Sequence, residues 1–159
     1  MKKIKVDACV CRLKLFDHDR IRDRILTYID RSFLNFDVQK NDFISKLDWE
    51  ESKDFERPWV KLFLPNFHIT LKEFLCGSGY ADKENVHVND VWYQQYEEGG
   101  VHGWHVHADH FTGVYYLEYP RGCSKTEICS PYSLKIKKID AVEGDIVVFP
   151  SYWIHRGPP

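Results

Sequence analysis

Between residues 102 and 120 the chain reads HGWHVHADHFTGVYYLEYP, which sets His102, His105, His107 and His110 around Asp109 just ahead of an apolar run. Imidazoles and a carboxylate at this spacing are the donors of a metal site. On a strand, alternate side chains project the same way, so His105 with His107, or His107 with Asp109, could share one ion, and the two registers compete. A third donor stands far downstream. In DIVVFPSYWIHRGPP, His155 follows an apolar strand and a proline, where a histidine serves a core poorly. His107, Asp109 and His155 make the set of two imidazoles and one carboxylate that leaves three adjacent positions open on an octahedral ion, the arrangement of non-haem Fe(II) oxygenases. His105, His107 and His155 make a three-imidazole set, cupin-like and suited to zinc or copper, which ranks second. His18, His68, His87, His102 and His110 have no carboxylate at ligand spacing and read as solvated side chains.

The elements that must carry these donors are strands. VHVNDVWYQQY, TGVYYLEYP, SLKIKKI and DIVVFP follow one another between Gly and Pro turns. In SLKIKKI the alternation predicts Leu134 and Ile136 inside, Lys135 and Lys137 in water. An earlier strand is expected around Cys11, Leu13 and Leu15. Ile21, Ile25, Ile29 and Phe33 recur every fourth residue behind Asp17 and Asp19, which predicts a helix over residues 17 to 34. Residues 35 to 65 show weak periodicity with isolated aromatic anchors, and FHITLKEFL fits a helix or a strand. Many short strands with one clear helix predict a mainly β chain, a double-stranded β-helix or jelly roll with a supporting N-terminal helix.

With 159 residues the chain suits a single domain spanning 1 to 159, residues 1 to 85 as an N-terminal support region and 86 to 159 as the metal-binding core. The formal net charge of −2 lacks the basic excess of a nucleic-acid or anionic-membrane binder. Five scattered cysteines without a C-x-x-C pair read as reduced thiols in a cytoplasmic protein. No window is long and apolar enough to predict a membrane span or a secretory leader.

HADHFTGVYYLEYP followed by EGDIVVFPSYWIHRGPP resembles the 2-oxoglutarate/Fe(II)-dependent dioxygenases, near the prolyl-hydroxylase-like branch and the small oxygenases of bacteria and phages. The shared pattern is H-x-D, a strand ending in paired aromatics, a Gly-Asp strand running into Phe-Pro, and a distal histidine. The resemblance covers residues 88 to 159. It implies His107, Asp109 and His155 as iron ligands, His105 behind them, and Tyr116 and Tyr96 as contacts to the cosubstrate. Family members place an arginine some nine or ten positions beyond the distal histidine to pair with the cosubstrate carboxylate. The last residue here is Pro159, so the anchor is expected beyond it and the barrel is expected to lack its last strand. Arg156, beside His155 on a strand, is expected to face away from the site; Arg121, Lys125 and Lys135 are weaker alternatives.

The implied cofactors are Fe(II) and 2-oxoglutarate, with dioxygen as cosubstrate and ascorbate as a supporting reductant. The implied reaction is hydroxylation of a C–H bond, coupled to decarboxylation of the 2-oxo acid to succinate and CO₂. Substrate identity is open, with peptidyl proline favoured by the resemblance and a small metabolite or another protein side chain as alternatives. Trp92, Gln94, Tyr96 and the loop EEGGVHGW are expected as substrate walls, with Gly99, Gly100 and Gly103 giving the loop mobility. The two rival readings are a non-oxidative cupin-like metal protein and a non-catalytic jelly-roll binding module.

Overall fold

The computed structural model describes residues 10–30, 43–78 and 86–159. Its centre is β8 (Asp145–Pro150), buried along its whole length. DIVVFP is a continuous apolar run, and such a run suits a strand covered on both faces. β8 lies between β1 (Cys11–Lys14) and β5 (Phe111–Tyr115), antiparallel to both. Its side chains divide by parity. Ile146 and Val148 join one apolar cluster, while Val147 and Phe149 join another with Tyr116, Ile128 and Ala141.

Two helices cover the first face. α1 (His18–Asp30) buries Ile21, Ile25 and Ile29 at i, i+4 and i+8, as the sequence predicts. Phe33 lies outside the described residues. α2 (Pro58–Ser78) was not legible as one element, because Pro65 sits within it. A proline in a helix interior costs about 3 kcal/mol. The stripe Val60, Phe63, Phe67, Leu71, Phe74 and Leu75 packs into the same cluster as α1 and offsets that cost, since each buried apolar side chain contributes about 1.5–3 kcal/mol.

Against the second face lies a four-stranded antiparallel sheet in the order β4 (His102–His105), β9 (Ile154–Gly157), β6 (Glu127–Cys129), β7 (Ile136–Lys138). A short pair, β2 (Lys46–Leu47) with β3 (Gln94–Gln95), stands apart. The chain is thus mainly β, in antiparallel sheets with two helices. β1 comes from the N-terminal region yet pairs with β8, so the two halves share one sheet. No helix among the described residues is long and apolar enough to cross a membrane.

Two expectations need correction. Of VHVNDVWYQQY only Gln94–Gln95 is strand, because the 86–93 segment bonds to side chains and to the Ser52 carbonyl instead of to a neighbouring strand. In SLKIKKI the alternation holds for Lys135 and Lys137, which are exposed, but not for the apolar pair: Ile136 on the edge strand β7 is 55% exposed, and Leu134, before that strand at φ +53°, is 72% exposed.

The loop after β3 is also tighter than its glycines suggest. Gly99 takes φ +78°, and a Cβ on Gly100 would lie 2.9 Å from the Glu97 carbonyl oxygen and 3.0 Å from that of Phe43. Phe43 and Val101 bridge across it. Gly100 is thus required by a close backbone approach and Gly99 by a left-handed turn. Gly100→Ala is expected to destabilise the protein by about 1–3 kcal/mol through that overlap, read as a lower urea midpoint at unchanged slope.

His18, expected in water, is 4% exposed and forms a buried joint between α1 and the central sheet. Its Nδ1 is 2.6 Å from the Tyr115 hydroxyl, and its Nε2 faces Glu143 at 3.7 Å and Asp19 at 3.9 Å. Burial, helped by the Lys14 ammonium, holds its pKa below 6.5 despite the two carboxylates. A histidine kept neutral by folding contributes stability that is whole above the unfolded value of about 6.5 and is lost as pH falls from there through the folded value. His107 and His155 are depressed too and act in the same sense. The urea midpoint is therefore expected to fall between pH 7.5 and 5, and His18→Gln is expected to reduce that dependence while leaving the remainder due to the other two. An equally steep profile in the variant would remove His18 from the account.

Candidate metal centre

His105, His107 and His155 bring their ring nitrogens within 4.8 Å of one another. Strand register explains two of the three. His105 on β4 stands directly opposite His155 on β9, in a pair whose register shifts between His102 and His105. His107 lies just past the end of β4, in a segment tied to the β8–β9 turn. Its N–H donates to the Ser151 carbonyl at 3.0 Å, and the Ser151 N–H donates to the His110 carbonyl at 3.2 Å. Ser151 is completely buried, and its hydroxyl meets that of Thr112 at 2.8 Å. One serine thus clamps the loop carrying His107 to the turn leading to His155.

Two rings are also oriented. His105 Nδ1 donates to the Gly103 carbonyl at 2.8 Å, and His155 Nδ1 donates to the Trp153 carbonyl at 3.0 Å. Each bond places the proton on Nδ1 and leaves the Nε2 lone pair available, which is how metal-binding histidines are commonly held. Burial depresses the His155 pKa to about 4, against the opposing Trp153 carbonyl and with help from the neighbouring imidazoles. Burial and His105 likewise lower His107, with Asp109 pulling the other way. Both shifts favour the neutral ring of His107 and His155, the form that ligation requires.

Two ligands on one side of an ion, at metal–nitrogen bonds of about 2.1 Å, stand about 3.0–3.4 Å apart, so ligation would draw nitrogens that lie within 4.8 Å together by up to about 1.8 Å. Three imidazoles from one side leave the opposite side open. Around them, the His102 ring stacks on His105 with centroids 3.8 Å apart, and Phe149 packs edge-on to His155 at 4.8 Å.

The other sequence-named residues are placed as follows. Asp109 is exposed and accepts a hydrogen bond from the Asn89 amide at 2.8 Å; it is not among the three clustered donors. Tyr116 is buried in the cluster that contains Phe149, its hydroxyl donating to Thr126 at 2.8 Å and pushed up to about 12 by burial. Tyr115 projects to the opposite face, toward His18. Tyr96 is 40% exposed and donates to the Gln94 carbonyl oxygen at 2.6 Å, while the Gln94 amide lies 3.3 Å from His102 Nδ1. Arg156 bonds Glu127 at 2.7 and 2.8 Å and lies over the Trp104 ring, on the side of β9 away from His155. Lys125 pairs with Asp140, and Arg121 and Lys135 are exposed.

Ser151, Asn89 and the carbonyls of Gly103 and Trp153 had no signature in the sequence. Their roles depend on contacts across chain separations that no local pattern encodes. Compared with known proteins, the chain matches no family model and no curated protein.

Proposed function

We propose that the protein is a metal-dependent oxygenase whose ion is held by Nε2 of His105, His107 and His155. The observation that carries the metal reading is the tethering of His105 and His155 through Nδ1 to backbone carbonyls, which leaves Nε2 as the ligating atom. Three imidazoles occupy one side of an octahedral ion and leave three adjacent positions open, as two imidazoles and a carboxylate do, so this set meets the coordination demand of an oxygenase. Being neutral, the set leaves the ion its full charge toward an anionic co-ligand.

The jelly roll belongs to the same proposal. What supports it is the pairing order β4-β9-β6-β7 facing β1-β8-β5, with β8 and β9 consecutive in sequence yet in different sheets. With Fe(II) and 2-oxoglutarate bound, the centre would supply oxygen activation coupled to decarboxylation of the 2-oxo acid. The chain's part is to hold the ion on one side, line the inter-sheet space with Phe149 and Tyr116, and keep Arg156 engaged with Glu127 outside it. Tyr116, with Thr126 beside it, is the hydroxyl proposed to reach the cosubstrate.

The second reading, a non-oxidative cupin-like metal protein, is favoured by the ligand set itself, since three histidines suit zinc. Metal analysis of the purified protein, followed by an assay of succinate formation from 2-oxoglutarate under air, separates them. Iron retention with succinate formed supports the oxygenase. Stoichiometric zinc with no 2-oxoglutarate consumed, even after reconstitution with Fe(II), would replace it by the second reading.

A further inference from the structure

The histidine cluster lines a space of about 2170 Å³ that also takes in Trp49, Trp92, Asp90 and Asp109. Small-molecule sites commonly enclose about 300–1,000 Å³, so this space suits a segment of polymer. At its outer end two indoles form a corner. Trp49, 47% exposed at the start of a single 3₁₀ turn, meets Trp92 edge to face with centroids 4.4 Å apart and planes at 83°. Trp92 in turn lies 5.5 Å from the His107 ring. A ladder of aromatic faces therefore leads from solvent to the candidate centre. Trp49 is exposed and Trp92 half-buried beside it, so the corner offers the open indole face of Trp49 and the accessible part of Trp92 to one guest.

The charge beside this corner selects the guest. Glu50, which follows Trp49 in the chain, Asp90 and Asp109 are among the carboxylates that line the cleft, and Lys53 is among its cations. Asp90 accepts from the Ser52 hydroxyl at 3.0 Å, and Asp109 from the Asn89 amide at 2.8 Å. These donors are neutral, so they orient the carboxylates without cancelling their charge. Among the described residues neither aspartate has an ion-pair partner. A cation within about 6 Å of an indole face is attracted by the ring quadrupole, most strongly for tryptophan.

From this juxtaposition we propose that the cleft binds a polypeptide through a lysine side chain, its alkyl stem along Trp49 and Trp92 and its ammonium toward Asp90 and Asp109. The proposal deepens the oxygenase reading by naming the substrate class presented to the histidine centre, and it rests on that reading for its chemistry though not for binding. A methylene chain on aromatic faces with the charged end among carboxylates matches both parts of the corner.

Binding is testable without turnover, by tryptophan fluorescence on the full chain. The probes are a blocked Gly-Lys-Gly tripeptide, the same peptide with Nε-acetyl-lysine, and n-butylamine. The lysine peptide is expected to give a saturable change, with both the acetylated peptide and n-butylamine at least about tenfold weaker. Trp49→Ala and Asp109→Asn, both at exposed positions, are each expected to weaken the lysine peptide by about tenfold or more. Equal binding of the acetylated peptide, or wild-type affinity in both variants, would overturn the proposal; n-butylamine binding as tightly as the peptide would overturn its polypeptide part. Metal content of the same samples keeps the two readings apart. Peptide binding without a retained ion would sink the metal reading alone, and a retained ion without peptide binding would sink this one alone.

Discussion

His105→Ala is expected to strip the ion from the protein as thoroughly as His107→Ala or His155→Ala, whereas Asp109→Ala is expected to keep it. Each histidine supplies one of three imidazole nitrogens converging within 4.8 Å, and two monodentate imidazoles hold a divalent ion poorly. Losing a supporting group costs roughly 10–100-fold in affinity, and losing a direct ligand is expected to exceed that. Asp109 is expected to act from outside: its charge raises the His107 pKa against burial, and its carboxylate accepts a hydrogen bond from Asn89. Its removal should therefore stay within the smaller range. The measurement is metal per chain after dialysis against a buffered chelator. Retention by His105→Ala together with loss in Asp109→Ala would return the ligand set to His107, Asp109 and His155, the register implied by the H-x-D resemblance.

A second large effect is expected far from the histidines, at Asp48. This carboxylate is 3% exposed and serves three partners. It pairs with the Arg57 guanidinium, accepts the Trp59 indole N–H at 3.1 Å, and accepts the Tyr93 backbone N–H at 2.7 Å. Arg57 also donates to the Val91 carbonyl, so one buried cluster ties the start of α2 to the 91–93 segment. Removing one member of a buried pair leaves an uncompensated charge and typically costs about 3–5 kcal/mol. Asp48→Ala is expected to lower unfolding free energy by that amount, and Asp48→Asn by less, since the amide oxygen can still accept from the Tyr93 N–H. Because Trp92 lies within the tethered segment and packs against His107, the alanine variant should also disturb the tryptophan environment beside the centre. A native-like midpoint for Asp48→Ala would show that Arg57 reaches solvent without penalty.

These expectations combine two kinds of information. Local patterns were enough for α1, where Ile21, Ile25 and Ile29 share a face, and for β8, where an unbroken apolar run reports burial on both sides. They were enough to single out His107 and His155 as candidate metal ligands and to expect Arg156 to turn outward, because alternation along a strand is a property of the backbone. The identity of the third donor was different in kind. His105 and Asp109 are each two residues from His107, so spacing treats them alike; the pairing of β4 with β9 brings His105 opposite His155, while Asp109 accepts a hydrogen bond from Asn89. In the same way, the continuity of α2 through Pro65 depends on aromatic packing from other elements, and the exposure of Ile136 depends on β7 lying at a sheet edge. Side-chain type and period are written in the chain, but which neighbour covers a face or captures a carboxylate is settled only when distant segments meet.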